Sequence, residues 1–274
     1  MLKLSIIGTS PVVEEHIKVA KKIGLKLFSI STTRKNSKNL KYFYKKYKFK
    51  FIFSNWKTAV NFASKSDNVV FLIAPRIKDT FKILNYILEK KIKYVFVEKP
   101  LSTNVRKFDI LSKYKKNIFI GYNRIFYKNI FFLKKNLKQL NNVIVKCPEI
   151  NKKAILNNSV HALSILIYLF FNFKASDNFS MEFYTNKEKF LLKPLENLII
   201  FKGIRNEINS VNKKLTDYVP IKKYQYHEMC NNPFKPGFLA QMKMFKKFAK
   251  YKIKIENNLT FAKKIMVLAN SIVN

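Results

Sequence analysis

The first chemistry this sequence offers is an amine at the end of an apolar strand. Tyr94-Val95-Phe96-Val97 is β-branched and aromatic, as a buried strand should be, and Glu98-Lys99-Pro100-Leu101 follows it directly. Pro100 stops the strand, so the Lys99 ammonium stands at its carboxyl end. In an open α/β sheet that edge is where ligands bind. An amine there can donate a hydrogen bond to a substrate hydroxyl or help take its proton. Glu98 and Lys99 also read as a solvated charge pair leading into a turn, so the rest of that edge must decide.

The first strand-to-helix turn is the second candidate. A dinucleotide needs a tight turn whose amides face the pyrophosphate at a helix N-terminus. The turn here is Gly8-Thr9-Ser10-Pro11-Val12-Val13, which keeps only the first glycine of the G-x-G-x-x-G pattern. Ser10, in the second place, stays small and adds a hydroxyl that can bond phosphate. Val13, in the third, is bulkier and loosens helix–strand packing unless compensated. At the end of the second strand, Ser31-Thr32-Thr33-Arg34, followed by Lys35 and Ser37, stands where an acid would bind the ribose of NAD. Hydroxyls and a guanidinium suit a 2′-phosphate and tilt the cofactor towards NADP. Arg34 also reads as one more surface cation.

These residues need a scaffold, and the pattern of the first half predicts one. Strands are expected over Leu2–Gly8, Leu25–Ser31, about Phe49–Phe53, Asn68–Ala74 (closed by Pro75), Tyr94–Val97 and Asn117–Gly121. Helical patterns lie between them, as over Val12–Ile23 and Asp79–Lys90. Strands alternating with helices imply right-handed crossovers and a doubly wound parallel sheet. Beyond Gly121 come a helix near Asn129–Leu140, a strand at Val143–Val145 and an apolar helix over Val160–Phe171. Short strands follow at Met181–Tyr184, Phe190–Leu192 and Leu198–Phe201, then two closing helices, Phe238–Lys250 and Leu259–Val273. The fold class expected is α/β: a Rossmann-type domain over 1–121, then an α+β domain with a mostly antiparallel sheet over 122–274. The Lys/Asn-rich stretch Asn206–Asp217 reads as a loop.

The chain has 274 residues, 48% of them apolar and 15% aromatic, ample for a large core. Its two cysteines, Cys147 and Cys230, are too few and too far apart for a disulfide framework, and no metal site is expected. No secretory signal is apparent, and the longest apolar run, Ile165–Phe171, falls far short of a membrane span. A reducing, cytoplasmic setting is expected. The net charge of +38 would attract polyanions. Lys, Asn, Ile and Phe share A/T-rich codons, however, the lysines are scattered along the sequence, and no nucleic-acid motif accompanies them. Nucleic acid is not the expected partner; help in holding a phosphorylated ligand is.

The order of these features resembles the glucose–fructose oxidoreductase/inositol dehydrogenase family over nearly the whole chain. The resemblance rests on Ile6-Ile7-Gly8-Thr9 with His16, Ile73-Ala74-Pro75, Glu98-Lys99-Pro100-Leu101-Ser102 and Gly121-Tyr122-Asn123-Arg124. It continues through Asn157-Asn158-Ser159-Val160-His161, Gly237-Phe238 to Gln241 and Phe245, and Ala269-Asn270-Ser271. It implies that Lys99 contacts the substrate hydroxyl and His161 acts as acid/base. It places Asn157 one turn before His161 to orient the site, with Tyr122 and Arg124 lining its mouth. The cofactor, NADP or NAD, would lie along Gly8, Thr9, Ser10, Thr32, Arg34, Ala74, Pro75, Glu98 and Lys99. A His is suited to take an alcohol proton near neutrality, and a nearby ammonium keeps it neutral. Taken alone, His161 would read as a core histidine. Four departures stand out: Ser164 where the family often has Asp, Asp79 where it often has His, Asn151-Lys152-Lys153-Ala154 where a glycine run is usual before Asn157, and a second-domain sheet shortened relative to the family.

The implied activity is nicotinamide-dependent hydride transfer to or from a carbinol or keto carbon of a sugar, one linked to a nucleotide or phosphate in surface-polysaccharide synthesis. By the same resemblance the chain forms a dimer or tetramer. The alternatives are a non-catalytic dinucleotide-binding sensor or scaffold of the same fold, and a basic nucleic-acid-binding protein. His16 is expected to pack at the helix start, and His227 to lie on the surface.

Overall fold

Buried strands and amphipathic helices alternate along the first half. In the computed structural model they run β1 (Lys3–Ile7), α1 (Pro11–Lys22), β2 (Lys26–Ser31), α2 (Lys38–Tyr47), β3 (Phe51–Phe53) and α3 (Trp56–Ala63). They continue as β4 (Val69–Ile73), α4 (Ile77–Glu89), β5 (Val95–Glu98), α5 (Arg106–Ile110) and β6 (Ile118–Gly121). The structure describes residues 1–34, 37–137, 142–146, 151–169, 180–185, 187–208, 216–228 and 233–273. Lys35, Cys147, Cys230 and the predicted helix ends at 138–140 and 170–171 lie outside them.

The six strands form one parallel sheet in the order β3-β2-β1-β4-β5-β6. Helices cover both faces, so every residue of β4 is buried and its sequence, Val-Val-Phe-Leu-Ile, needs no polar alternation. The strand order turns back between β1 and β4, which opens a crevice over their carboxyl ends. The sequence reading assigns no element between Phe53 and Asn68. α3 lies there, its start capped by Asn55, whose side chain accepts from the Lys57 amide at 2.8 Å. Its buried face, Ala59, Val60 and Ala63, is too small to stand out in the pattern.

The second half comprises α6 (Lys128–Asn136), β7 (Asn142–Lys146), α7 (Lys152–Ala154), α8 (Val160–Leu169), β8 (Ser180–Tyr184) and β9 (Lys189–Leu192). It closes with β10 (Asn197–Ile208), β11 (Thr216–His227), α9 (Phe238–Tyr251) and α10 (Leu259–Val273). Its sheet runs β11-β10-β9-β8-β7, antiparallel throughout. The expected loop over Asn206–Asp217 needs correcting. β10 extends to Ile208 and pairs with β11, and residues 209–215 lie outside the described ones. β11 escapes a pattern search because it is an edge strand carrying Pro220, Lys222 and Lys223, exposed from Pro220 to Gln225 with no alternation there to betray it. His227, at its end, is exposed as expected.

Two cores result, and α8 joins them. Val160, Leu163 and Ile167 belong to the first, and Ala162, Ile165 and Leu166 to the second. A helix lodged between two cores must be apolar nearly all round, which explains the run from Ala162 to Leu169, broken by Ser164 alone. α9 and α10 return to the first sheet: Phe245, Phe248, Ile265 and Met266 lie in its core. Asn257 bonds both ways with Ile120 of β6, its amide donating from Nδ2 at 2.8 Å and its carbonyl accepting at 2.9 Å. No helix among the described residues is long and apolar enough to cross a membrane.

Candidate active site

The turn after β1 is held from both sides. The Gly8 amide donates to the Ser31 carbonyl and the Ala74 amide to the Ile7 carbonyl, each at 2.9 Å. Gly8 has φ +134°, and a Cβ there would lie 2.5 Å from the Ala74 carbonyl oxygen, so only glycine lets the two strand ends approach. Ser10 is the N-cap of α1 without spending its hydroxyl on the cap, and Pro11 takes the first helical position. Val13 is fully buried in the first core, which compensates the missing third glycine. The Thr9 and Ser37 hydroxyls are 3.1 Å apart, and Asn39 Nδ2 donates to the Thr9 carbonyl at 3.0 Å. These bonds latch the turn to the start of α2.

Thr32 is buried, and its hydroxyl accepts from the Arg34 amide at 3.2 Å. Thr32 therefore shapes the loop, while Arg34 is exposed. Ala74 is buried and Pro75 half-buried, side by side with Gly8 across the crevice. The turn fits a dinucleotide pyrophosphate on two counts: a cradle that a side chain would fill, and a helix N-terminus whose Ser10 hydroxyl makes no cap bond. Gly8, Thr9 and Ser10 would hold that group, with Arg34 beyond the end of β2.

Glu98 closes β5 with its carboxylate engaged twice. One oxygen meets His16 Nε2, and the other accepts from the Lys99 amide at 3.2 Å. His16 is buried between Phe96 and Phe238, with ring centroids 5.0 and 4.8 Å away. It packs in the middle of α1 rather than at its start, and additionally grips Glu98, a partner 82 positions away that no local pattern indicates. Behind them Gly121 leaves room that a Cβ would take at 3.1–3.2 Å from Gln241 Nε2 and Glu98 Oε1. Gln241 is fully buried, both its amide atoms without a partner among the described residues.

The Lys99–Pro100 bond is cis. Lys99 Nζ reaches across to the second half and donates to the Asn157 carbonyl at 3.2 Å. That uses one of three donors and leaves two for a substrate oxygen. Asn157 lies in a π-helical turn, Ile155–Ser159, between α7 and α8. π-turns recur at functional sites because they break the regular ladder. The sequence reading pairs Asn157 with His161 across an ordinary α-turn; the π-turn intervenes, and the contact made is backbone to Lys99.

His161 opens α8 at the meeting of the two cores. Burial first, then the Lys99 and Arg124 charges, hold its pKa well below 6.5. Its Nδ1 has no partner among the described residues. Ser164 supplies none, since its hydroxyl donates to the His161 carbonyl at 2.7 Å. Lys99 is itself lowered by burial, with Arg124 adding to the effect and Glu98 opposing it. Arg124, on a 3₁₀ turn over Asn123–Phe126, pairs with Glu196 at 3.5 Å. Lys99, Asn157, His161 and Arg124 therefore converge.

Tyr122 does not join them. Fully buried, it meets Phe261 edge-on at 5.7 Å, and burial pushes its hydroxyl pKa up. It is a core residue here, not part of the mouth.

The arrangement resembles known structures as a whole. A dehydrogenase from Clostridium difficile superposes with a TM-score of 0.75 at 15% identity, over 100% of this chain and 99% of that one. UDP-N-acetylglucosamine 3-dehydrogenase from Acidithiobacillus ferrooxidans gives 0.72 at 10% identity, over 99% and 96%. A myo-inositol dehydrogenase from Corynebacterium glutamicum gives 0.66 at 11%, over 100% and 96%. At these identities the likeness is one of fold, and it spans both halves of the chain. No family model and no curated protein matches the sequence.

Proposed function

We propose that this chain is a nicotinamide-dependent oxidoreductase acting on a carbinol or keto carbon of a sugar. The observation that carries the reading is the meeting of Lys99, from the carboxyl end of β5, with the carbonyl of Asn157 just before His161. Two halves of the chain thus contribute an ammonium and a half-buried imidazole to one edge of the parallel sheet. Lys99 donates to the substrate oxygen and stabilises the charge that develops there. His161, held neutral, takes the hydroxyl proton in oxidation and returns it in reduction. A bound nicotinamide supplies the hydride acceptor, so loss of C–H and O–H leaves a carbonyl. Asn157 fixes the Lys99 ammonium, and Arg124, half-buried beside both groups, suits a phosphate or other anionic part of the substrate.

A nucleotide- or phosphate-linked sugar of surface-polysaccharide synthesis is the substrate class we favour. Arg124 and the positive field support it, as does one fold neighbour's name as a UDP-sugar dehydrogenase. The division at 121/122, a homodimer or homotetramer, and a cytoplasmic setting belong to the same reading. It is tested by turnover on a panel of free, phosphorylated and nucleotide-linked sugars with NADP and NAD. Oxidation or reduction of at least one anionic sugar supports it, and none with a demonstrably bound cofactor refutes it.

Arg34 gives a sharper prediction for cofactor choice. An exposed guanidinium after β2 suits the 2′-phosphate. Arg34→Ala is expected to weaken NADPH binding about tenfold and leave NADH unchanged, as one charge-assisted contact would. Fluorescence titration of both nucleotides reads the difference. Equal loss for both would remove Arg34 from the cofactor site.

A further inference from the structure

The opposite edge of the parallel sheet carries a cleft that the proposed chemistry does not use. It has a volume of about 800 Å³ and lies where the chain enters β5 and β6, against the link between α9 and α10. Five lysines line it: Lys93 before β5, Lys115 and Lys116 before β6, and Lys252 and Lys254 after α9. No carboxylate lines it, and none of these five ammoniums has an ion-pair or hydrogen-bond partner among the described residues. In the sequence the lysines fall into three separate segments; only the fold gathers them.

One wall is apolar and aromatic. Tyr94, half-buried, meets Phe248 edge-on at 5.0 Å, and Ile253 extends the surface. Thr260, in the first turn of the fifteen-residue α10, adds an exposed hydroxyl where the helix dipole favours an anion. Five like charges facing one space repel each other, and a bound polyanion would offset that cost. Cations over one region and a flat apolar wall beside it suit a ligand with phosphates on one end and an aromatic ring on the other. The volume falls in the usual range for small-molecule sites.

We propose that this cleft is a second binding site, for a free nucleoside di- or triphosphate, with phosphates on the lysines and the base against Tyr94. Because β5 and β6 run from this cleft to Lys99 and Gly121, the site stands apart from the dinucleotide crevice at their far ends.

The test is photo-crosslinking of the full chain with 8-azido-ADP, the labelled peptides being read by mass spectrometry. Label is expected near Tyr94 or within 253–260. Lys115→Glu with Lys254→Glu should lower it about a hundredfold at sub-saturating probe, as loss of two charge-assisted contacts predicts. Lys57→Glu with Lys65→Glu, two exposed lysines at and after α3, should leave it unchanged. Thermal unfolding of both pairs checks that they fold. Label confined to Thr9–Val12 and Thr32–Arg34 would overturn the proposal, as would equal loss in both pairs. So would cross-linking by an azido-substituted oligonucleotide with none by the mononucleotide. Because the readout is positional, failure here leaves the proposed oxidoreductase site untouched.

Discussion

Replacing Lys99 by Ala is expected to lower kcat about 10²- to 10⁴-fold while the cofactor still binds, and replacing His161 by Ala to do the same. The two act on the same oxygen, so the double variant should be little worse than the poorer single one. Steady-state turnover with the best sugar of the panel measures all three. Lys99→Arg should not rescue, because a planar guanidinium cannot occupy the space of an ammonium donating to the Asn157 carbonyl at 3.2 Å.

The pH dependence follows from the same geometry. Burial, Lys99 and Arg124 hold the His161 pKa well below 6.5, so the base stays neutral through the neutral range. The acid limb of kcat/KM is then expected below pH 6.5. Lys99→Met removes one of the two neighbouring cations, so the limb of its residual activity should move to higher pH. Stability carries the matching sign. The unfolded chain takes up a proton at His161 as pH falls through 6.5 and the folded chain does not, so stability falls from that point down to the folded pKa. His161→Ala should flatten that part of the profile in denaturant titrations.

Gly8→Ala is the second large effect. A Cβ at this position meets the Ala74 carbonyl oxygen at 2.5 Å, and φ of +134° is one that side chains rarely adopt. The contact is backbone to backbone, so no side chain can swing away. Strain of this kind costs roughly 2–4 kcal/mol. It acts where β1 and β4 frame the crevice, so NADPH affinity should fall more than tenfold as well. Calorimetric unfolding and fluorescence titration read the two effects separately. Ser10→Ala, in contrast, should spare stability, because its hydroxyl makes no cap bond, and should weaken only the cofactor.

Much of this site is legible before folding. Continuous apolar strands announce a parallel sheet, and the sheet tells where Glu98 and Lys99 must point. His161 ahead of an apolar helix is legible too, since a helix between two cores has no polar face. What escapes the sequence is contact across distance and contact by backbone. His16 and Glu98 are both visible, but nothing local joins them. Asn157 acts through its carbonyl, which every residue has, and the π-turn that presents it leaves no side-chain pattern. Tyr122 misleads because a tyrosine beside Asn123 and Arg124 looks polar, while its ring faces Phe261 in the core. The basic cleft is hidden by its own composition. Lysine is common everywhere in the chain, and only the topology brings five of them to one edge without a carboxylate.

The central claim is that Lys99 and His161 act together on the carbon that exchanges hydride with a nicotinamide in the β1–β4 crevice. It is tested most directly with a reactive sugar from the panel, deuterated at its carbinol carbons one at a time, and followed by mass spectrometry of the reduced cofactor. Deuterium should appear on the nicotinamide from a single carbon with the wild-type chain, and not above background with Lys99→Ala/His161→Ala. Transfer that survives in the folded double variant would contradict the account.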